Sequence, residues 1–179
     1  MNVEAETNYA YYMYAFILFI LLLLYVIYLY NNLIQRKNQL KNSNSTIDIM
    51  LKRRFDLLPN LVDICKQYLH HEENVFINIS KIRTEVAGKS LYYEKLDTDA
   101  LLSKPVSNLF VLSEAYPELK SSENFLHLQA TWFETEDQIA AARRFYNASV
   151  YAYNNAVQLF PSNIIATIAG FKAEPFYKQ

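Results

Sequence analysis

Residues 123–160 read ENFLHLQATWFETEDQIAAARRFYNASVYAYNNAVQLF, and this stretch decides the fold class. Its apolar and small residues recur at alternating steps of three and four, the heptad spacing of a helix packed along one face. Residues 121–124 (SSEN) offer an N-terminal cap, and Pro161 stops the helix. The sequence therefore predicts one long helix whose buried stripe is Leu128, Trp132, Thr135, Ile139, Ala142, Tyr146, Ser149, Tyr153, Val157 and Phe160.

A Tyr-Asn pair occurs twice in this helix, at residues 146–147 and 153–154. The two pairs are one heptad apart, so both lie on one face of the predicted helix.

Three further segments upstream show helical spacing. The strongest runs from Ile47 to about residue 69, and Cys65 lies within its apolar stripe, which favours a core position over a nucleophile. A second helix is predicted over about residues 71–86. A third, weaker helix covers about residues 97–114, where Pro105 marks a break or a helix start, and residues 88–104 are unassigned.

The composition agrees with an all-α protein, because only two glycines are available for the turns that sheets and phosphate-binding loops require. The predicted fold is a transmembrane helix followed by an antiparallel up-and-down four-helix bundle. The predicted segments are a short tail (1–8), a transmembrane helix (9–30), a helical stalk (31–46), the bundle (47–171) and a C-terminal tail (172–179).

The membrane helix is predicted from residues 9–30, YAYYMYAFILFILLLLYVIYLY, which are long enough to cross a bilayer and contain no charge. A cleaved signal peptide would begin with cations, whereas Glu4 and Glu6 precede this stretch. Residues 31–46 contain neither proline nor glycine, which favours a helical stalk over a flexible linker. The aromatic residues expected at the two membrane interfaces are Tyr9, Tyr11, Tyr12, Tyr14, Tyr25, Tyr28 and Tyr30.

Flanking charge predicts the orientation. No Lys or Arg precedes the span, whereas Arg36, Lys37 and Lys41 follow it. Because cations stay on the cytoplasmic side, we expect a single-pass protein of the cell (inner) membrane with its N-terminus outside and its bundle in the cytoplasm.

The residues give little support to a metal, cofactor or nucleic-acid site. His70 and His71 are adjacent and so point about 100° apart on a helix, and Val75 stands where a second zinc ligand would be needed. Phosphate-loop, dinucleotide and nucleophile-elbow motifs are missing from the sequence, and the net charge is −1. We therefore expect no cofactor, no metal and no nucleic-acid partner.

Polar residues that could meet inside the bundle form the remaining candidate site. We interpret them as a structural polar layer, in which Arg53 or Arg54 reaches Glu136 or its neighbours; an enzyme site split across the bundle is the less favoured alternative. The residues of this candidate layer are Arg53, Arg54, Asp56, Asn60, Glu136 and Arg143.

Long blocks of the chain resemble the LemA family. The blocks are YNNLIQR (30–36), LKRRFDLLPNLV (51–62), EAYPELKSSENFLHLQ (114–129), TE (135–136), IAAARRFYN (139–147), YN (153–154) and FPSNIIATIAGF (160–171), while residues 88–104 depart from the pattern. The resemblance implies one N-terminal transmembrane helix, an antiparallel helical bundle and no established enzymatic activity.

The expected function is that of a membrane-anchored, non-enzymatic scaffold of bacterial type. It would act through the lipid bilayer, through self-association into a homo-oligomer, or through other membrane proteins. The alternative is an accessory subunit of a membrane protease or quality-control complex, an expectation that rests on analogy and on no particular residue.

Overall fold

The computed structural model describes residues 2–69, 76–81, 84 and 92–177, and it describes side-chain surroundings for residues 11–69, 76–81, 84 and 103–177. Every regular element in this part of the chain is helical. The all-α fold, with a long apolar N-terminal helix followed by a helical region, is therefore confirmed. The helices are α1 (Asn2–Tyr68), α2 (Tyr92–Ser113), α3 (Pro117–Lys120), α4 (Glu123–Gln158) and α5 (Ser162–Ile168), and residues 76–81 and 84 are also helical.

Helix α1 is continuous, and it contains both residues 31–46 and Pro59. Proline lacks the N–H that would bond to the carbonyl of Phe55, so a proline at this position predicts a kink or a restart of the helix. The helix does not restart there. Leu58 and Leu61, on either side of Pro59, are fully buried, and their packing holds this part of the chain in helical form.

The chain divides into two compact units, the first formed by residues up to 43 with residues from 145 onward, and the second by residues 44–144. The second unit has a core to which four helical segments contribute. The C-terminal part of α1, the segment 76–81, α2 and the start of α4 supply its buried side chains. The largest of these are Leu58, Leu61, Leu69, Phe76, Ile79, Leu109, Phe110, Phe125 and Trp132.

The prediction for Pro105 was wrong. Helix α2 begins at Tyr92 and runs through Pro105 to Ser113, so residues 92–104 are helical rather than unassigned. A proline inside a helix costs about 3 kcal/mol. Val106, Leu109 and Phe110, in the five residues after Pro105, lie in the core, and their burial offsets that cost. The predicted second helix (71–86) lies partly outside the described residues.

The heptad stripe of α4 is confirmed over most of its length. Its predicted positions from Trp132 to Tyr153 are all buried, and Leu128 and Val157 are half-buried. Phe160 is the exception, because α4 ends at Gln158 and the Phe160 side chain is 79% exposed.

In the first unit, the stalk part of α1 buries Leu33, Leu40 and Ser43 within the chain itself. The stripe of the stalk is thus already covered, and it gives no separate reason to expect self-association.

Helix α5 ends at a left-handed glycine. Gly170 has φ +74, its N–H donates to the carbonyl of Thr167, and the N–H of Phe171 donates to the carbonyl of Ala166. This is the hydrogen-bond pattern of a Schellman motif, which reverses the chain at a helix end. The Phe171 ring then contacts the Tyr30 ring of α1, with the centroids 6.2 Å apart.

Candidate interaction sites

Arg54 is the most buried charged residue among the described side chains, at 2% exposure. Its guanidinium lies over the Trp132 ring, with the central carbon 4.3 Å from the ring centroid. The heptad positions of α1 and α4 bring the two residues together. A guanidinium keeps its charge at every ordinary pH and stacks well on an indole ring.

The polar contacts of Arg54 reach two helices. Its Nη2 atom lies 3.7 Å from Oε1 of Glu136 on α4 and donates to Oγ of Ser103 on α2 at 3.3 Å. Glu136 is about half-exposed, so water screens its charge and the ion pair is worth little. A pocket of about 300 Å³ opens beside them, lined also by Lys104, Ser107, Phe110 and Phe133.

The other residues of the predicted polar layer differ in exposure and in their contacts. Arg53 is exposed and donates from Nη1 to Oε1 of Gln138 at 3.1 Å. Asp56 and Asn60 are exposed, and Arg143 is half-buried on α4. The structure brings Arg54 and Glu136 together, while a role for all six residues as one layer stays a prediction.

The thiol of Cys65 has the properties of a core residue. The side chain is fully buried, and this burial raises the pKa of the Cys65 thiol to about 12. The thiol therefore stays protonated at neutral pH, which argues against a nucleophilic role.

Metal ligation finds no support in the part of the chain with described side chains, where no group of three His, Cys, Asp or Glu residues could hold an ion. The histidine-glutamate run at 70–73, considered from the sequence, lies outside the described residues.

Two asparagines on α4, Asn147 and Asn154, hold the C-terminal tail by its main chain, and we call this pair the tail clamp. Asn154 accepts the N–H of Glu174 at 2.9 Å and donates to its carbonyl at 2.8 Å. Asn147 accepts the N–H of Tyr177 at 2.8 Å and donates to its carbonyl at 3.3 Å. Each side-chain amide thus pairs with both main-chain groups of one tail residue.

The spacing of the tail clamp matches an extended chain. Seven residues of α-helix rise about 10 Å, and three residues of extended chain advance about 10 Å. Asn147 and Asn154 can therefore reach residues 177 and 174 at once, with the tail running antiparallel to α4. The Tyr-Asn repeat had indicated a shared face of the helix but not its occupant.

Tyr153 lies next to the tail clamp on α4 and is almost fully buried. Burial raises the pKa of Tyr153, and the negative charge of Glu174 in the tail raises it further. The phenol therefore stays neutral beside the bound tail.

A groove of about 430 Å³ lies in the first unit, next to the end of the predicted membrane span, and we call it the span-end groove. Leu29, Leu33 and Arg36 of α1 line one side of it. Tyr151 of α4 and the connection to α5 line the other, with Leu159 and Phe160 contributing apolar walls. The Arg36 Nε donates to Oδ1 of Asn32 at 2.7 Å, which orients the guanidinium along α1.

Comparison with known proteins identifies relatives for most of the chain. The sequence model described as the LemA family matches residues 43–179. Magnetosome protein MamQ 2 and Magnetosome protein MamQ 1 of Paramagnetospirillum magneticum are each 25% identical over 180 residues. Magnetosome protein MamQ of Magnetospirillum gryphiswaldense is 24% identical over the same length. These alignments cover 84% of this chain and 65% of each relative, so the chain spans less than two thirds of the length of these relatives.

Proposed function

Since this chain belongs to the LemA family, we propose that it is a membrane-anchored, non-enzymatic interaction protein that holds copies of itself or partner proteins next to a bilayer. In this proposal, the start of α1 spans the membrane once with the N-terminus outside. The helical region carried by the rest of the chain then presents its surfaces in the cytoplasm.

One observation carries the proposal: a single helix has two different surroundings along its length. Every large apolar side chain from Tyr11 to Tyr28 is at least 40% exposed, whereas Leu33, Ile47, Leu51 and Leu58 of the same helix are fully buried or nearly so. By length and composition, the exposed stretch is sufficient to cross a membrane. An apolar surface of this size needs a covering, and a bilayer is the covering that suits a helix with no polar side.

The described side chains also favour a role in binding over one in catalysis. Arg54 is engaged with Trp132, Ser103 and Glu136, and the Cys65 thiol is protonated.

Membrane anchoring is tested with the full chain in bacterial membranes. We expect the protein to resist extraction with alkaline carbonate. The double variant Leu21→Lys/Leu22→Lys should become extractable, because each lysine at the centre of a span costs about 3 kcal/mol. Val111→Lys, a substitution of an exposed apolar residue in the 44–144 unit, is the matched control and should stay in the membrane. Complete extraction of the unmodified chain would refute the anchor.

The interaction role is tested with a photo-crosslinking amino acid at Gln39, an exposed position of the stalk. Capture of the chain itself supports self-association, and capture of a distinct membrane protein supports a partner-binding role. A chain that is monomeric in nanodiscs and captures no protein in cells would contradict both.

Orientation is tested by labelling introduced cysteines in intact cells with a reagent that cannot cross membranes. Asn2→Cys should react, and Lys120→Cys should react only after the cells are opened. The reverse pattern would overturn the proposed topology.

A further inference from the structure

Four large apolar side chains next to the span-end groove face outward. Leu159 is 60% exposed, Phe160 79%, Ile164 52% and Ile168 83%. Ile164 and Ile168 are four residues apart on α5 and so share a face, while Ala166 on the other side of that helix is buried. We call these four residues the α5 patch.

The α5 patch lies at the level where the predicted span ends. Leu159 and Phe160 line the same groove as Leu29, which is within the apolar stretch of α1. Phe171, three residues beyond Ile168, packs on Tyr30, one of the aromatic residues expected at the membrane interface. If residues 9–30 span the bilayer, this part of the chain is therefore next to the lipid headgroups.

The charge around the patch is predominantly positive. Residues 29–43 and 145–177 contain four cations, Arg36, Lys37, Lys41 and Lys172, and a single acid, Glu174. The whole chain, in contrast, has a net charge of −1. Lys37 lies over the Phe171 ring at 5.3 Å, and Arg36 lines the groove about 10 Å along α1 from Leu29. The cations are thus placed at about the depth of the headgroup region.

We propose that the α5 patch forms a second, interfacial contact with the membrane, and that Arg36 in the span-end groove binds the headgroup of an anionic phospholipid. Leu159, Phe160, Ile164 and Ile168 enter the boundary between headgroups and acyl chains beside the α1 span. This inference rests on the proposed membrane anchor, because the anchor sets the depth of the patch.

The same features favour a bilayer over a protein as the occupant. The patch continues the apolar surface of the span, so a bilayer that covers one extends over the other. Apolar side chains flanked by cations are the composition that binds anionic interfaces, in which each cation contributes about fivefold to binding. At this patch a second copy of the chain would bring the same positive charge, which disfavours a second copy as the occupant of the patch.

The test uses the full chain in nanodiscs, with an environment-sensitive dye on one introduced cysteine at a time. Phe160→Cys and Ile168→Cys report on the patch. Leu22→Cys reports on the span, and Val111→Cys is the matched exposed control in the 44–144 unit. Cys65 is fully buried and does not compete for the dye. Phospholipids carrying a spin label near the headgroup serve as the quencher for positions 160, 168 and 111, and phospholipids carrying the label deep in the acyl chain serve as the quencher for position 22, at the centre of the span.

We expect loss of fluorescence at positions 160, 168 and 22 and no loss at 111. Quenching at 22 without quenching at 160 and 168 overturns the interfacial contact and leaves the anchor in place. Lack of quenching at 22 overturns the anchor itself. A blue shift at 168 without quenching by lipid means that protein covers the patch, which also overturns the inference.

The anionic headgroup is tested by comparing spin-labelled phosphatidylserine with spin-labelled phosphatidylcholine at position 168. The serine lipid should quench more strongly, and Arg36→Gln should lower this preference about fivefold. Arg144→Gln, which removes an exposed cation of the 44–144 unit, should leave it unchanged. Equal quenching by both lipids, or equal effects of the two substitutions, overturns the assignment of Arg36.

Discussion

The tail clamp makes an asymmetric prediction, because its two asparagines hold the same segment at different distances from Phe171. Asn154 holds Glu174, three residues beyond Phe171, and Asn147 holds Tyr177, six residues beyond it. The main-chain N–H groups of Glu174 and Tyr177 each donate to one clamp oxygen, so their hydrogen exchange reports directly on the clamp. We therefore compare Asn154→Ala with Asn147→Ala.

The expected magnitudes follow from the hydrogen bonds and from loop closure. Asn154→Ala removes two exposed hydrogen bonds, together worth about 1–2 kcal/mol, so protection of the Glu174 N–H should fall about 5- to 30-fold. It also doubles the free segment between Phe171 and the remaining clamp residue, which costs about 0.6 kcal/mol. Protection of the Tyr177 N–H should therefore fall about threefold. In contrast, Asn147→Ala leaves the segment from Phe171 to Glu174 closed and should hardly change protection at Glu174.

The assay is native-state hydrogen exchange, resolved to single residues, on the full chain and both variants. Asn155→Ala changes the next residue of α4, which lines the span-end groove and does not hold the tail, and so serves as the control. Equal losses of protection at Glu174 in Asn154→Ala and Asn155→Ala would refute the clamp. A loss at Glu174 in Asn147→Ala as large as that in Asn154→Ala would refute the order of attachment.

Three further predictions concern stability, measured by denaturant unfolding of the full chain in detergent. Arg54→Ala should lower the free energy of unfolding by about 3 kcal/mol, because it leaves a cavity over the Trp132 ring. Glu136→Gln should lower it by only about 0.5 kcal/mol, because the Glu136 carboxylate is half-exposed. Equal losses of stability in the two variants would contradict this difference. Burial raises the pKa of the Cys65 thiol from 9.0 in the unfolded chain to about 12 in the folded one, so between these pH values the native state keeps a proton that the unfolded state has lost. The contribution of the thiol to stability is therefore complete below pH 9 and is lost as the pH rises toward 12. The free energy of unfolding should fall by at most about 1.4 kcal/mol per pH unit in this range through the Cys65 thiol, and Cys65→Ala, measured in parallel, should lack this contribution. An identical alkaline slope in both proteins would contradict the role given to Cys65. Gly170→Ala should lower the free energy of unfolding by about 1 kcal/mol. The loss comes from the positive φ of this position alone, since an added Cβ meets no atom within 4 Å. An unchanged free energy of unfolding would show that the positive φ carries no cost.

The parts of the fold that depend on side-chain periodicity were predictable from the sequence. The stripe from Trp132 to Tyr153 follows helical geometry, and the same geometry placed Cys65 in the core. The contact between Arg54 and Glu136 is anticipated only in part, because the sequence leaves Arg53 and Arg54 as alternatives and allows neighbours of Glu136 as the partner. The Trp132 ring over which Arg54 lies was assigned only a core position.

Other features could not be predicted, for reasons that are physical. The helix continues through Pro105 because Val106 and Leu109 are buried in the core. Their burial outweighs the local preference of proline for a break or a helix start, which is all that the sequence shows at this point. The tail clamp recognises main chain, so it imposes no side-chain pattern on residues 174–177 that could be read in advance. Only the repeated asparagines of α4 carried a signal, and they do not specify what they bind.

The α5 patch and the tail clamp belong to one segment of chain, yet they should act independently. Phe171 lies between them and is fixed to α1 through Tyr30 and Lys37, positions that are one heptad apart on the same helix face. Release of the tail beyond Phe171 therefore leaves the chain before it in place. We expect Asn154→Ala to leave lipid quenching at position 168 unchanged, although it lowers protection at Glu174. If quenching at 168 falls together with that protection, Phe171 does not isolate the two sites, and the segment 159–177 moves as one unit.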